Sequence, residues 1–366
     1  MLFHVNKKDF SAAIISVIKA LPTRTTLPSL EGIFFDAKKD GLHLKCSDLM
    51  LQKECIVPCM VEEEGQSIIP GKFFSELVRK LPEGDVTVSI SGKDINIVCG
   101  RVNTVLQTMD FDEFPEMRFD DNSFSVKMKN EECKSIINHT VFATSIDDSK
   151  PILTGVLFEI NDGNITAVAT DAYQFAMRKQ KVEQSTKEKQ QIVIPGKALT
   201  EISHMMDETE NDAELTFSRT HIRVDIGNTI LTARLLDGTY IDYKRIIPQE
   251  YKTRILINKN SLIESIERAQ LVSREGGNNV ILHFTDNMLR ISSTSLVGTF
   301  EENIDAQING EDIDIAFNPK YLLNVLKNAD DETVCIDLVS EISPCVVKPL
   351  QGDGYYYLVV PVRIYS

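Results

Sequence analysis

Apolar residues return along this chain in two alternating rhythms. Phe10, Ala13, Ile14, Val17, Ile18 and Leu21 fall at helical spacing, with Lys8 and Lys19 on the opposite side, which predicts an amphipathic helix after a short extended start. Cys133, Ile136, Ile137, Thr140 and Val141 repeat that spacing, with Lys134 and Asn138 outside it, and Leu262, Ile266 and Ala269, beside Arg268, give it a third time. After each helix two strands are expected around a tight turn at Asp40-Gly41, Asp162-Gly163 and Asp286-Asn287, residues that accept positive φ. The second hairpin strand runs into Ser47-Asp48-Leu49, then Thr170-Asp171-Ala172; the third copy, Ser293-Thr294-Ser295, lacks the aspartate. A second helix follows a repeated phrase: Ile69-Pro70-Gly71-Lys72, Ile194-Pro195-Gly196-Lys197 and, more loosely, Phe317-Asn318-Pro319-Lys320, with lysines 125 and 123 residues apart. Further strands are expected near 86–90, 95–99, 214–217 and 222–226, and a polar loop at 182–189.

Several separate features recurring at one interval mean a single unit built three times. Each unit is predicted to hold two helices and about eight strands, an α+β domain with its helices on one face. Asp, Asn, Pro and Lys collect at the boundaries, which gives domains 1–122, 123–250 and 251–366.

Composition narrows the picture without naming a function. The 366 residues are 42% hydrophobic and 25% charged, ordinary for a soluble globular chain. No apolar run is long enough for a bilayer and Met1-Leu2-Phe3-His4 does not begin a signal peptide, so a cytoplasmic protein with no membrane partner is expected. Seven scattered cysteines without a Cys-x-x-Cys pair fit reduced thiols. The net charge of −15 divides as −5, −4 and −6 among the thirds, with no basic tail; any contact with DNA must come from how charge is arranged in space.

Catalytic chemistry has no positive support. Gly65 and Gly71-Lys72 have the wrong spacing for a phosphate loop, and Phe73 stands where magnesium would need Ser or Thr. The six histidines form no metal-ligand pair, and no cofactor is expected. Asp110-x-Asp112-Glu113 and Glu311-Asp312-x-Asp314 could serve a two-metal nuclease, but no basic or histidine partner lies nearby in sequence. What does recur is a lysine opening each second helix and a polar or basic residue seven further on: Lys72 and Arg79, Lys197 and His204, Lys320 and Lys327. In one helix this is an ordinary solvated face; three times over, it points to a shared basic surface that would meet phosphates without reading bases.

Three tandem units, the run Thr170-Asp171-Ala172-Tyr173-Gln174-Phe175-Ala176, the run Leu235-Leu236-Asp237-Gly238-Thr239-Tyr240-Ile241-Asp242-Tyr243 and the ending Val359-Val360-Pro361-Val362-Arg363-Ile364 together resemble the bacterial DNA polymerase III beta subunit family, the replicative sliding clamps. The resemblance covers the whole chain. It implies a non-enzymatic, ring-forming head-to-tail homodimer around duplex DNA, helices inward and sheets outward. It also implies a pocket between domains 2 and 3 for linear peptides of the replicative polymerase, the clamp loader complex, translesion polymerases and repair proteins.

Carried over residue by residue, that pocket would use Leu153, Thr170, Ala172, Tyr173, Gln174 and Phe175. Ile241, Arg245 and Ile246 would add to it, with Asn318, Tyr321, Pro344 and the tail Val359, Val360, Pro361, Val362 and Arg363. Ala172, Gln174-Phe175 and Ile241 depart from the family's common residues, and the chain runs on to Tyr365-Ser366. For DNA, Arg24 matches a family arginine, with Lys72, Lys150 and Lys197 as further candidates. The dimer seam would set Leu271 and Val272 against Val105 and Leu106.

Overall fold

The computed structural model describes residues 1–110, 113–120, 122–184, 188–206, 212–274 and 279–363. Asp112 of the acidic cluster, residue 121 of the first boundary, 185–187 of the expected polar loop and the terminal Ile364-Tyr365-Ser366 lie outside them. Among the described residues there are six α-helices: α1 (Lys7–Val17), α2 (Gly71–Lys80), α3 (Asn130–Val141), α4 (Gly196–Met205), α5 (Lys259–Ser273) and α6 (Pro319–Lys327). They fall two to each third, where the periodicity placed them. Phe10, Ala13, Ile14 and Val17 form the buried stripe of α1, and Leu262, Ile266 and Ala269 that of α5. Asparagine starts three of the helices: Asn6, Asn258 and Asn318 each accept a backbone N–H of the first turn, satisfying a donor that the helix itself cannot.

The repeated Pro-Gly phrase has a packing reason. A Cβ on Gly71 would stand 2.6 Å from Leu21 Cδ1 and 3.2 Å from the Glu31 carbonyl oxygen; on Gly196 it would stand 3.1 Å from both Thr144 Oγ1 and the Thr154 carbonyl oxygen. Glycine lets the helix start lie directly on the chain segment before it. The hairpin turns adopt the left-handed backbone expected of their residues, with φ of +50° at Asp162, +49° at Asp286 and +57° at Asn287.

Each third carries nine strands among the described residues rather than about eight. Each includes one very short strand that periodicity could not register: Met60–Glu63, Glu183–Gln184 and Gln307–Asn309. In the third unit the strand Met288–Ser295 continues to its hairpin, where the first two units stop at Ser47 and Thr170. The aspartate that turns the chain in those two copies is absent here.

By contacts the chain forms two compact units, the first comprising 1–130 and 201–235, the second 131–183, 188–200 and 236–363. The middle third is therefore shared. In the first unit one sheet runs Met60–Glu63, Leu2–Asn6, Asp85–Ser91, Asp94–Cys99, Val102–Gln107. A second joins strands of two thirds, because Thr229–Arg234 pairs antiparallel with Leu51–Val57. Phe3, Phe10, Phe35 and Phe74 pack edge-on and tilted, at centroid distances of 5.5–6.4 Å, and tie α1 and α2 to the sheets. In the second unit Gln174–Lys181 pairs with Tyr355–Val359 and again carries a sheet from one third to the next. Leu157, Val168, Phe175, Tyr243, Val346 and Leu358 form a core cluster there. A four-stranded sheet, Gly298–Asp305, Met288–Ser295, Val280–Thr285, Ile313–Phe317, completes this unit.

Candidate nucleic-acid and peptide-binding surfaces

The basic candidates sit where helices begin. Lys72, Lys197 and Lys320 are all exposed and all lie in the first turn of a second helix, which in each case has no acidic residue in that turn. A cation at the positive end of a helix is disfavoured by about 0.3–1 kcal/mol, so helix stability does not explain three such lysines. Arg24 and Lys72 are brought together: with Pro22, Thr23 and the 60%-exposed Phe73 they line one cleft of 440 Å³ in the first unit. Arg79 is exposed further along α2. In the second unit Lys150 is exposed at the start of the 3₁₀ turn Pro151–Thr154. The second members of the basic pairs differ: Lys327 bonds Glu267 at 2.6 Å, and His204 Nδ1 lies 3.8 Å from Glu201.

The residues expected of the peptide pocket all belong to the second unit, at different depths. Asp171 accepts the backbone N–H groups of Tyr173 and Gln174, both at 2.9 Å, and this turn holds Ala172 at φ +78°. The effect is to push Tyr173 outward, 57% exposed, where its ring stacks on Tyr321 at 5.4 Å and 7°. Burial, then the nearby Asp171 charge and Tyr173, raise the Tyr321 hydroxyl above its ordinary pKa. The Val360 N–H donates to the Tyr173 carbonyl at 2.9 Å and the Val362 N–H to the Ala316 carbonyl at 2.7 Å, so the tail is sewn down on both sides. Ile241, Ile246 and Val360 each leave 40–42% of their surface exposed.

Others of the expected residues are interior. Leu153, Thr170, Gln174 and Phe175 are buried, and Phe175 stacks on Tyr243 at 6.0 Å within the core cluster. The Gln174 amide donates to the Phe142 carbonyl at 3.2 Å and to Asp171 at 3.0 Å, and accepts from Asn324 at 3.2 Å. Asn318, expected at the pocket, directs its side-chain oxygen to the Lys320 N–H at 3.0 Å as a helix cap. Arg245 is exposed and pairs with Asp242 at 2.8 Å; Pro344 is half-buried and Arg363 exposed. Asn324, Phe142 and Asp171 carry the polar framework of the site, yet only Asp171 left a trace in sequence, through its repetition at Asp48.

Among the described residues, two of the open sheet edges are strands of six residues or more. Val102–Gln107 ends one sheet of the first unit, with Val105 59% exposed and Leu106 half-buried; Gly298–Asp305 ends the four-stranded sheet of the second. Leu271, 64% exposed, and half-buried Val272 lie on α5. The 298–305 edge was not singled out from sequence, where Glu301-Glu302-Asn303 interrupts the apolar alternation of Phe300 and Ile304.

Three α+β repeats, each opening its second helix on an exposed lysine, place the chain among clamp-type proteins built from one repeated domain. Models of the DNA polymerase III beta subunit match its N-terminal domain at residues 1–118, its central domain at 127–242 and its C-terminal domain at 244–363. The chain is 33% identical over 377 aligned positions to the beta sliding clamp of Staphylococcus aureus, each covering the other completely. Among solved structures it superposes on the DNA polymerase sliding clamp of Bacillus subtilis with a TM-score of 0.95 at 32% identity, and on a DNA polymerase III beta subunit of Eubacterium rectale with 0.92 at 30%, covering all of each chain. The chain belongs to the DNA polymerase III beta subunit family.

Proposed function

We propose that this chain is one half of a DNA sliding clamp, closed by a second copy into a ring around duplex DNA and working as a processivity factor rather than an enzyme. The observation that carries the reading is the exposed lysine repeated at the head of α2, α4 and α6 in a chain of this family. Arg24, Lys72, Arg79, Lys150 and Lys197 are assigned to phosphates lining the ring. Such contacts are blind to sequence, while the net charge of −15 opposes DNA on other faces. Val105 and Leu106 on one open edge, with Leu271 and Val272 on α5, are assigned to the seam between copies.

The rim around Tyr173, Ile241, Ile246 and Val360 is assigned to linear peptides of the replicative polymerase, the clamp loader and repair polymerases. Support for that assignment is the apolar exposure of these side chains around a fixed, hydrogen-bonded frame. The working place is the cytoplasm, on nucleoid DNA. The test is topological: protein loaded on nicked circular DNA should be retained through a high-salt wash and released when the circle is linearised. Retention on the linear product would overturn the ring reading.

A further inference from the structure

The aspartate turn at Asp48 carries an exposed surface of its own in the first unit. Leu49 and Met50, set by that turn, leave 45% and 43% of their surface exposed. The Arg234 N–H donates to the Met50 carbonyl at 2.8 Å as the Val360 N–H does to Tyr173 at 2.9 Å, so Met50 and Arg234 hold the places that Tyr173 and Val360 hold in the second unit. Gln52 stands opposite Thr232 and accepts the Met117 N–H at 3.1 Å. Arg234, two residues beyond Thr232, lies on the same sheet face as Gln52, and the segment through Met117 and Arg118 crosses that face. The Leu235 N–H donates to the Thr220 carbonyl at 2.8 Å, which brings the turn through Arg219 beside Arg234.

Arg118, Arg219 and Arg234 are all exposed, and among the described residues none of them has an ion-pair partner. Other cations of this face do: Lys45 bonds Glu116 at 2.7 Å, and Arg223 bonds Asp225 at 3.1 Å. Of the nearby acids, Asp48 accepts the Met50 and Leu51 N–H groups and Asp120 accepts the Asn122 N–H. The Arg234 charge acts on His221, paired opposite it: burial first, then Arg234, holds that imidazole below its ordinary pKa. Three guanidiniums grouped at one end of a sheet repel one another, so folding does not explain them. In a chain with 54 acidic and 39 basic residues they form a surface opposite in sign to the whole.

We propose that this face binds a linear peptide carrying carboxylates on both sides of an apolar side chain. Leu49 and the adaptable Met50 would cover the apolar residue, and the guanidiniums, planar and always charged, would take the carboxylates in bidentate pairs. That the ligand is a linear peptide rests on the reading of the second unit's rim, which the matching turn builds. Its acidity follows from the arginine at 234, where that rim has Val360. A nucleic acid would satisfy the arginines but leave Leu49 and Met50 uncovered. On a chain of net charge −15 an acidic peptide is repelled elsewhere and drawn here.

The probe is the synthetic peptide acetyl-Glu-Asp-Leu-Leu-Asp-Glu-amide, titrated into the full-length protein and followed by amide chemical shifts in nuclear magnetic resonance. Saturable binding is expected, with shifts at 48–52, 117–120, 218–221 and 233–235. Arg118→Gln, Arg219→Gln and Arg234→Gln together should weaken it about tenfold or more, and so should a peptide with Gln and Asn in place of Glu and Asp. Met50→Ser should weaken it about threefold or more. Tyr173→Ala should leave the affinity unchanged, which separates this site from the rim of the second unit. Absence of saturable binding, unchanged affinity in the arginine or Met50 variant, or equal binding of the uncharged peptide would each overturn the proposal. So would a loss of binding in Tyr173→Ala, or equally tight binding of a thymidine hexanucleotide at the same residues.

Discussion

Glu201→Gln is the sharpest perturbation of the first unit. Lys53 lies in Leu51–Val57, a strand paired on both sides, and its ammonium is 2% exposed at 3.2 Å from Glu201 Oε2. At that separation the attraction is about 5 kcal/mol for an effective dielectric of 20. Taking one partner from a buried pair typically costs about 3–5 kcal/mol, because the remaining charge stays out of water. Lys53→Met should cost less, since Glu201 is 13% exposed and a carboxylate near the surface regains solvent. The double variant should recover most of the loss, because with methionine at 53 no unpaired charge stays buried.

The coupling between the two sites is therefore predicted to exceed about 1 kcal/mol. Native-state hydrogen exchange is the suitable assay, since a chain of two units need not unfold in one step. Amides of 51–57 should lose between roughly two and four orders of magnitude of protection in Glu201→Gln. Those of Tyr355–Val359, in the other unit, provide the unchanged reference. A loss below about tenfold, or a double variant equal to the sum of its parts, would show that the pair does not bind α4 to the sheet.

Three further outcomes are expected. Arg24→Ala and Lys72→Ala should each weaken non-specific DNA binding and reduce the salt slope by about 0.9; a slope unchanged in both removes their cleft from the DNA path. Ending the chain after Leu358 removes the Val360 and Val362 N–H bonds and should abolish peptide capture while sedimentation still reports the dimer; unchanged peptide affinity excludes the tail from the site. The last concerns pH. Burial by itself lifts the Asp337 carboxyl, yet Arg254 at 2.7 and 2.8 Å and Lys348 at 2.6 Å hold it below the ordinary aspartate value. A depressed carboxylate contributes fully above its unfolded pKa of about 3.9, and that contribution is lost as pH falls through the lower folded value. The second unit should thus keep its thermal midpoint down to about pH 4 and lose it below, and Asp337→Asn should flatten that acid limb. Identical limbs would refute the assignment.

The helices and hairpin turns were legible because their signals are local. Phe10 to Val17 repeats at helical spacing, Asp162-Gly163 meets a positive-φ requirement, and three copies separate pattern from accident. The sheets that run from one third to the next were not legible. Thr229 lies 174 residues from Cys55, and neither strand carries a mark of its partner. The pocket was half legible. Family likeness brought Thr170 to Phe175 to notice, but no spacing distinguishes Tyr173, pushed out by a backbone turn, from Gln174 beside it, which is locked by Phe142, Asp171 and Asn324. Asn324 reads in sequence as one more polar residue on a helix.

The repeated aspartate turn explains how one backbone device yields two different surfaces. Asp48 accepts the Met50 and Leu51 N–H groups at 3.0 and 2.7 Å and holds Leu49 at φ +70°, just as Asp171 holds Ala172 at +78°. Non-glycine residues in that conformation cost about 1–2 kcal/mol, so the turn persists only where the aspartate and the flanking strands impose it. Its product is a pair of side chains turned outward at the edge of a sheet shared by two thirds. In the second unit these are Ala172 and Tyr173, and Tyr173 lies flat on Tyr321. In the first unit they are Leu49 and Met50, 45% and 43% exposed, with no planar ring among them to stack. The same turn that sets up the Tyr173–Tyr321 stack in one unit leaves two flexible apolar side chains in the other. The difference between the units lies in the side chains carried on a common turn.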